Sequence, residues 1–346
     1  MCTAVTYRTH DHYFGRNLDL PSSYQETVTI TPRNFPLPFR RAGLRRKHYA
    51  IIGVALVDRG YPLYYDATNE KGLSIAGLNF PGNADFKPEA RDMDNIAPYE
   101  LIPWLLGQCT SLDQVKVLLR RLNLIRLPFS ERLPLTPLHW MISDRDGSMT
   151  LESVQEGLRV YDNPVGVLTN NPPFDFQMHH LTNFLNLTRE SPTNRFSPEL
   201  HLEPYSLGMG ALGLPGDLSS ASRFVRAAFT KLNSVSGASE SESISQCFHI
   251  LGSVAQYRGC ARAGDDGFEH TLYTSCCNTD RGLYYYTTYE NSQITCVDLH
   301  RERLDSDQLV VYPMLKGQRI YLQNGCVPQR YHAGPLRLPP QIFKNL

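Results

Sequence analysis

The cysteine at position 2 has the most chemical promise of any residue in this chain. A small second residue permits removal of the initiator methionine, which would leave Cys2 with a free α-amine beside its own thiol. The amine has an unperturbed pKa of about 7.7–8 and the thiol about 8.5. The match lets one residue act as nucleophile and base near neutral pH. Cys2–Tyr7 and Tyr13–Leu20 flank the polar stretch Thr9-His10-Asp11-His12, a hairpin pattern. A two-residue turn at His10-Asp11 predicts Cys2 directly opposite Asp19, within reach for the carboxylate to hold the amine. Arg16 then falls on the other face. It could lower the thiol pKa only if the strand bulged or twisted between Arg16 and Asp19. The plain alternative for this pair is a surface charge couple.

Two asparagines stand where strands end. Asn79 lies in Gly77-Leu78-Asn79-Phe80-Pro81-Gly82, and Asn170 in Leu168-Thr169-Asn170-Asn171-Pro172. Amide side chains and exposed N–H groups at strand ends can form an oxyanion hole. Each asparagine could equally close an Asx turn.

Other chemistries lack their motifs. No phosphate-binding loop, nucleophile elbow, dinucleotide-binding glycine pattern or H-E-x-x-H occurs. His139 beside Trp140 reads as a core histidine, and His179-His180 cannot chelate from one helix face. Neither a metal nor a cofactor is expected. The 34 basic and 34 acidic residues cancel, leaving no field to attract nucleic acid or an anionic membrane. The cluster Arg40, Arg41, Arg45, Arg46, Lys47 reads as a solvated loop. No apolar run is long enough to cross a bilayer, and the start has no signal-peptide pattern. The eight cysteines show neither C-x-x-C nor zinc spacing. A cytoplasmic protein with reduced thiols is expected.

Positioning these residues requires a layered fold. Strands are expected at Cys2–Tyr7, Tyr13–Leu20, Thr27–Thr31, Tyr49–Val57 and Leu73–Leu78, then helices over Ala97–Gln108 and Leu112–Leu122, the latter capped by Ser111. A meander follows at Leu138–Ser143, Met149–Val154 and Leu158–Val160. Helices near Phe174–Leu187, Ser220–Leu232 and Ser243–Val254 precede strands at Thr271–Cys276, Gly282–Thr288 and Gln293–Val297. Blocks of strands alternating with helix pairs favour a layered α+β architecture over a doubly wound parallel sheet.

Several motifs, in order along the chain, resemble the choloylglycine hydrolase family. They are Met1-Cys2-Thr3, Phe14-Gly15-Arg16-Asn17-Leu18-Asp19, Asn69-Glu70-Lys71-Gly72-Leu73, the Asn79 segment, Leu138–Asp144, Gly166–Pro172, Gly213–Asp217 through Ser222-Arg223-Phe224, Tyr273–Cys276 and Tyr284-Tyr285-Tyr286. Singly each is weak; together they are specific. The resemblance implies the αββα sandwich of N-terminal-nucleophile hydrolases, a single domain over residues 1–346. It implies Cys2 as nucleophile and base, Arg16 beside the thiolate and Asp19 at the N-terminus. The Asn79 N–H and the Asn170 amide would form the oxyanion hole, with Arg223 completing the polar network. Leu18, Tyr65, Phe129, Leu133 and Leu138 would line an acyl pocket. The implied reaction is hydrolysis of glycine- or taurine-conjugated bile salts through a thioester, Asn79 being the bile-salt-like choice. Penicillin V acylase and amino-acid acyltransferase activities are the neighbouring alternatives, and a catalytically silent binder of amphipathic ligands is the non-enzymatic one. By the same resemblance, residues 189–213 would be an assembly loop of a homotetramer. The Pro-rich tail 324–346 is expected to be irregular.

Overall fold

The structure is a computed structural model and describes residues 1–325; most of the Pro-rich tail, residues 326–346, lies outside it. The strands that build its two large sheets are β1 (Cys2–Arg8), β2 (His12–Leu20), β3 (Thr27–Thr31), β4 (Ile51–Asp58), β5 (Tyr61–Asn69), β6 (Ser74–Asn79), β7 (Leu138–Ser143), β8 (Ser148–Val154), β9 (Gly157–Asp162), β10 (Val167–Leu168), β11 (Phe268–Asn278), β12 (Leu283–Thr288), β13 (Asn291–Asp298) and β14 (Val310–Pro313). The first sheet has seven strands in the order β10-β1-β2-β11-β12-β13, with Ala261–Arg262 paired to the start of β11. The second has eight, in the order β9-β8-β7-β6-β5-β4-β3-β14. Every pairing within the two sheets is antiparallel. The second sheet is thus one long meander, closed by a strand from the far end of the described chain.

Helices α1 (Leu101–Leu106) and α2 (Leu112–Leu119) cover the outer face of the second sheet; Val115 and Leu119 join Ile142, Met149 and Leu151 in one core. Ser111 caps α2 by accepting the Gln114 N–H. Helices α4 (Ser220–Asn233) and α5 (Glu240–Gly252) lie on the first sheet, where Asn17 Nδ2 donates to the Leu251 carbonyl. The architecture is a four-layer αββα sandwich. Because β1 and β2 are covered on both sides, Cys2–Tyr7 is buried throughout, Thr3 and Thr6 included. An antiparallel strand covered on one face only would alternate with exposed polar residues.

Several elements differ from expectation: the helix expected over Ala97–Gln108 is α-helical only over Leu101–Leu106, and Val167–Leu168 and Val310–Pro313 are additional strands. Tyr61–Asn69 is a central strand, although Pro62 and Asp66 break the apolar run that would announce one. Pro62 sits near the strand's start, opposite Val57, and Asp66 is satisfied by hydroxyls from the facing sheet. The helix expected over Phe174–Leu187 is α-helical only to His180 (α3, Phe174–His180) and continues as a 3-10 turn to Phe184. Residues 189–213 form a largely irregular excursion with Phe196, Leu200, Leu202, Tyr205 and Leu207 exposed.

Candidate active site

The β1–β2 hairpin sets the site, and its register corrects the sequence reading. Tyr7 pairs with Tyr13 and Arg8 with His12, so three residues, Thr9-His10-Asp11, make the turn instead of two. Every later rung moves by one. Cys2 faces Leu18, and Met1 takes the place opposite Asp19: each donates its N–H to the other's carbonyl, at 2.9 and 3.0 Å. Alternation then puts Arg16 and Leu18 on the same face of the hairpin as Cys2, with no bulge needed in β2. The irregularity lies in the neighbouring β11, between Thr271 and Tyr273, opposite Asp19 and Leu18. Asp19 Oδ1 accepts from the Thr271 hydroxyl at 2.7 Å. Arg16 and Asp19 are both fully buried, which removes the surface-couple alternative.

Helix α4 delivers Arg223 to the other side of Cys2. Ser219 caps the helix, and Arg223 in its first turn donates Nε to the Leu218 carbonyl. Its Nη1 reaches the Cys2 carbonyl and Thr3 Oγ1, each at 2.6 Å, and its Nη2 reaches Asn170 Oδ1 at 2.8 Å. The same Asn170 Oδ1 accepts the Cys2 N–H at 2.7 Å, while Asn170 Nδ2 donates to the Asn79 carbonyl at 2.7 Å. These bonds span distant segments, so Asn170 does not close an Asx turn. The Asn170 backbone N–H is pinned by Ser220 Oγ at 2.8 Å.

Arg16 enters a gap in the second sheet. The β5–β6 ladder stops at the Asp66–Ala76 rung. Beyond it, the Tyr65 and Gly77 carbonyls both accept from Arg16 Nη1, at 2.8 and 2.9 Å. Tyr65 is the extra residue where the β4–β5 register slips, Val54 facing Asp66 and Ala55 facing Tyr64. A bulge of this kind unpairs one residue and redirects its groups. Next to it, the buried Asp66 carboxylate accepts from the hydroxyls of Tyr273 (2.6 Å), Tyr284 (2.5 Å) and Ser275 (3.2 Å). Burial opposes the charge of Arg16, but Cys2, Tyr273, Asp66 and Asp19 around it carry its pKa above the ordinary value. Burial pushes both Asp19 and Asp66 up, with nearby Arg223 opposing it at Asp19 and Arg16 at Asp66. Arg223 lies below its ordinary value, burial outweighing Asp19 and Cys2.

A cavity of about 340 Å³ opens onto these groups. Cys2, Arg16, Asp19 and Asn79 form its polar end. The remaining lining is largely apolar and includes Leu18, Tyr65, Phe129, Leu133 and Leu138 from the sequence reading. It also includes Tyr24, Leu63, Leu135 and Trp140, which that reading missed. Arg223 and Asn170 stand behind Cys2. On the lining side chains, four buried atoms have no hydrogen-bond partner among the described residues: Arg16 Nη2, Asp19 Oδ2 and Asn79 Oδ1 at the polar end, and Trp140 Nε1. Unsatisfied polar atoms beside an apolar cavity are where a ligand's polar group gains most. No group of His, Cys, Asp and Glu among the described residues could hold a metal ion, and no helix among them is long and apolar enough to cross a membrane.

The family model for linear amide C–N hydrolases of the choloylglycine hydrolase type matches residues 2–312. The chain belongs to the choloylglycine hydrolase family. Within that family it is 56% identical over 324 residues to a bile salt hydrolase/transferase of Lactiplantibacillus plantarum, covering 94% of this chain and all of the relative. A crystal structure of the C2A mutant of the conjugated bile acid hydrolase from Clostridium perfringens superposes with a TM-score of 0.86 at 36% identity, covering 93% of this chain and 99% of that one. A penicillin V acylase from Agrobacterium tumefaciens shares the fold, with a TM-score of 0.69 at 17% identity over 92% and 94% of the two chains. As a choloylglycine hydrolase family member the chain is a linear-amide hydrolase. Asp66 is a buried acid beside Arg16 that the sequence reading missed. An acid inside the otherwise apolar and aromatic Tyr61–Ala67 was its one visible signal.

Proposed function

We propose that this chain, after loss of Met1, hydrolyses the amide bond of glycine- or taurine-conjugated bile salts. The observation that carries the reading is the placing of Cys2 at the junction of an apolar cavity and a polar end, its backbone nitrogen held by Asn170 Oδ1. Once Met1 is gone, that nitrogen is the free amine, oriented by Asn170 and near Asp19. It takes the thiol proton as Sγ attacks the carbonyl carbon. Arg16, on the same face as Cys2, favours the thiolate. The developing oxyanion is stabilised by the Asn170 Nδ2 amide and the Asn79 N–H. Backbone alternation aims that N–H at the same open edge of β6 as the Gly77 carbonyl. Collapse breaks the C–N bond, the leaving nitrogen takes the proton from the amine, and a thioester remains. Water, deprotonated by the same amine, then releases the bile acid. Leu18, Tyr65, Phe129, Leu133 and Leu138 hold the steroid through its apolar face.

Mass spectrometry of the processed protein incubated with taurocholate tests this, with free taurine assayed in parallel. Taurine release by wild type and none by Cys2→Ala is the expected result. No release by processed, reduced wild type, or full release by protein that keeps Met1, overturns it. The relative from Lactiplantibacillus plantarum is a bile salt hydrolase/transferase, which favours a second outcome of the same thioester: capture by another amine in place of water. Added free amino acids would then yield new conjugates. Penicillin V hydrolysis is weighed by the ratio of kcat/KM on the two substrates.

The single domain assembles as a homotetramer through residues 189–213, whose apolar side chains stand exposed; a monomeric mass by light scattering removes that part. A reducing bacterial cytoplasm suits a chain whose described cysteines are all free thiols.

A further inference from the structure

His139 does more than fill the core. It lies on β7 opposite Leu78, one rung from the Leu138–Asn79 pair, and both it and Glu152 are fully buried. Its Nε2 is 2.8 Å from the carbonyl of Thr169, the residue before Asn170. Its ring stacks on Phe80, the residue after Asn79, with centroids 4.2 Å apart and planes 6° from parallel. One imidazole therefore touches the chain neighbour of both asparagines. A carbonyl only accepts, so Nε2 carries a proton. On the far side Nδ1 meets Glu152 Oε1 at 3.0 Å, with a proton between them. The same Oε1 accepts the Phe174 N–H at 3.1 Å, at the start of the helix that follows the Asn170 segment. The other carboxyl oxygen, Oε2, is buried and has no partner among the described residues. Keeping an acid there at such cost exceeds what a packed core needs.

We propose that His139, oriented by Glu152, is a positioning residue that fixes the spacing of the two oxyanion donors. It rests on the roles proposed above for Asn79 and Asn170. The Asn170 segment is then gripped from both sides, by Ser220 of α4 on its N–H and by His139 on the preceding carbonyl. The imidazole is not part of the cavity lining and takes no proton from substrate. Its contribution is to keep two donors from separate loops at the separation a tetrahedral oxygen requires, in the way outer-shell carboxylate–histidine pairs orient metal ligands.

The test uses the processed full chain and two probes that differ in one respect. The side-chain trifluoromethyl ketone analogue of cholic acid adds reversibly to the Cys2 thiol: an S–C bond forms, the carbonyl π bond opens onto the oxygen the donors would hold, and the thiol proton passes to the α-amine. Iodoacetamide alkylates the same sulfur by displacing iodide and creates no oxyanion. For His139→Gln and Glu152→Gln, kcat should fall by about 10–100-fold, less than the loss of a direct oxyanion donor. KM and the alkylation rate should stay within a few-fold, and ketone affinity should drop alongside kcat. Folded variants with unchanged ketone affinity overturn the proposal, as does a parallel loss of alkylation and ketone binding. Should His139→Gln fail to fold, Glu152→Gln decides, since the amide preserves shape and Oε1. Asn170→Ala separates the two levels. If it leaves ketone affinity intact, the oxyanion assignment itself fails; if it weakens binding while the His139 and Glu152 variants do not, only the positioning role fails.

Discussion

Arg16 and Arg223 are closed off from solvent on either side of Cys2, one rooted in a gap between strands of the second sheet, the other in the first turn of α4. Arg223 spends Nε and both Nη groups on four acceptors, among them the Cys2 carbonyl and Asn170 Oδ1. Arg16 has two short bonds, both from one nitrogen to backbone carbonyls, and leaves Nη2 without a partner among the described residues. The electrostatics differ too. Burial dominates at Arg223 and lowers its pKa; at Arg16, Cys2, Tyr273, Asp66 and Asp19 more than offset burial. The contrast separates two uses of one side chain. Arg223 supplies directed contacts that hold the backbone and Asn170, whereas Arg16, in the mechanism proposed above, supplies a positive field to the sulfur. A planar fork and a point charge are not interchangeable in the first use and nearly so in the second.

Exchange of each arginine for lysine attacks that contrast directly. Arg223→Lys keeps the charge but strands several buried acceptors. It should cost about 2–4 kcal/mol in urea unfolding and lower kcat of the processed enzyme by about 100-fold or more. Arg16→Lys should be milder, with kcat/KM on taurocholate within about tenfold of wild type. If the two losses come in the opposite order, the division between contact and field is wrong.

A smaller effect sharpens the field side. Asp66→Asn removes an anion that competes with the Cys2 thiolate for Arg16. The midpoint of the pH–rate curve for iodoacetamide alkylation should therefore move down. A purely structural role for Asp66 would leave that midpoint in place. Stability carries its own sign. Burial raises the Asp66 pKa from 3.8, so between 3.8 and that raised value the folded state holds more protons than the unfolded. Wild type loses this contribution as pH climbs through that window. Asp66→Asn should flatten the decline in urea titrations run at rising pH from about 4.

Much of this arrangement was legible in the chain, and the parts that were not share a cause. The β1–β2 hairpin announces itself by two strand-like runs about a polar stretch, and Asn79 and Asn170 by the turn residues after them. Each is a local signal. The pairing of Cys2 was misread because one residue of turn length, invisible to periodicity, separates Leu18 from Asp19 as partner. The strand carrying Tyr65 and Asp66 was missed because its polar residue is satisfied from the other sheet, by Tyr273, Ser275 and Tyr284 more than 200 positions later. His139 reads as a core residue from its neighbours in sequence. Its contacts with Phe80 and Thr169 exist only once three segments have met.

The three-residue turn at Thr9–Asp11 carries a consequence for how the chain can vary. Surface connections ordinarily accept added or deleted residues. Here a change of one would slide β2 past β1 by a rung and force one strand to present its opposite face. Arg16 would then be lost from the side of the thiol, with no residue of the catalytic neighbourhood altered. The length of that distant loop is thus as restricted as the identity of the proposed nucleophile.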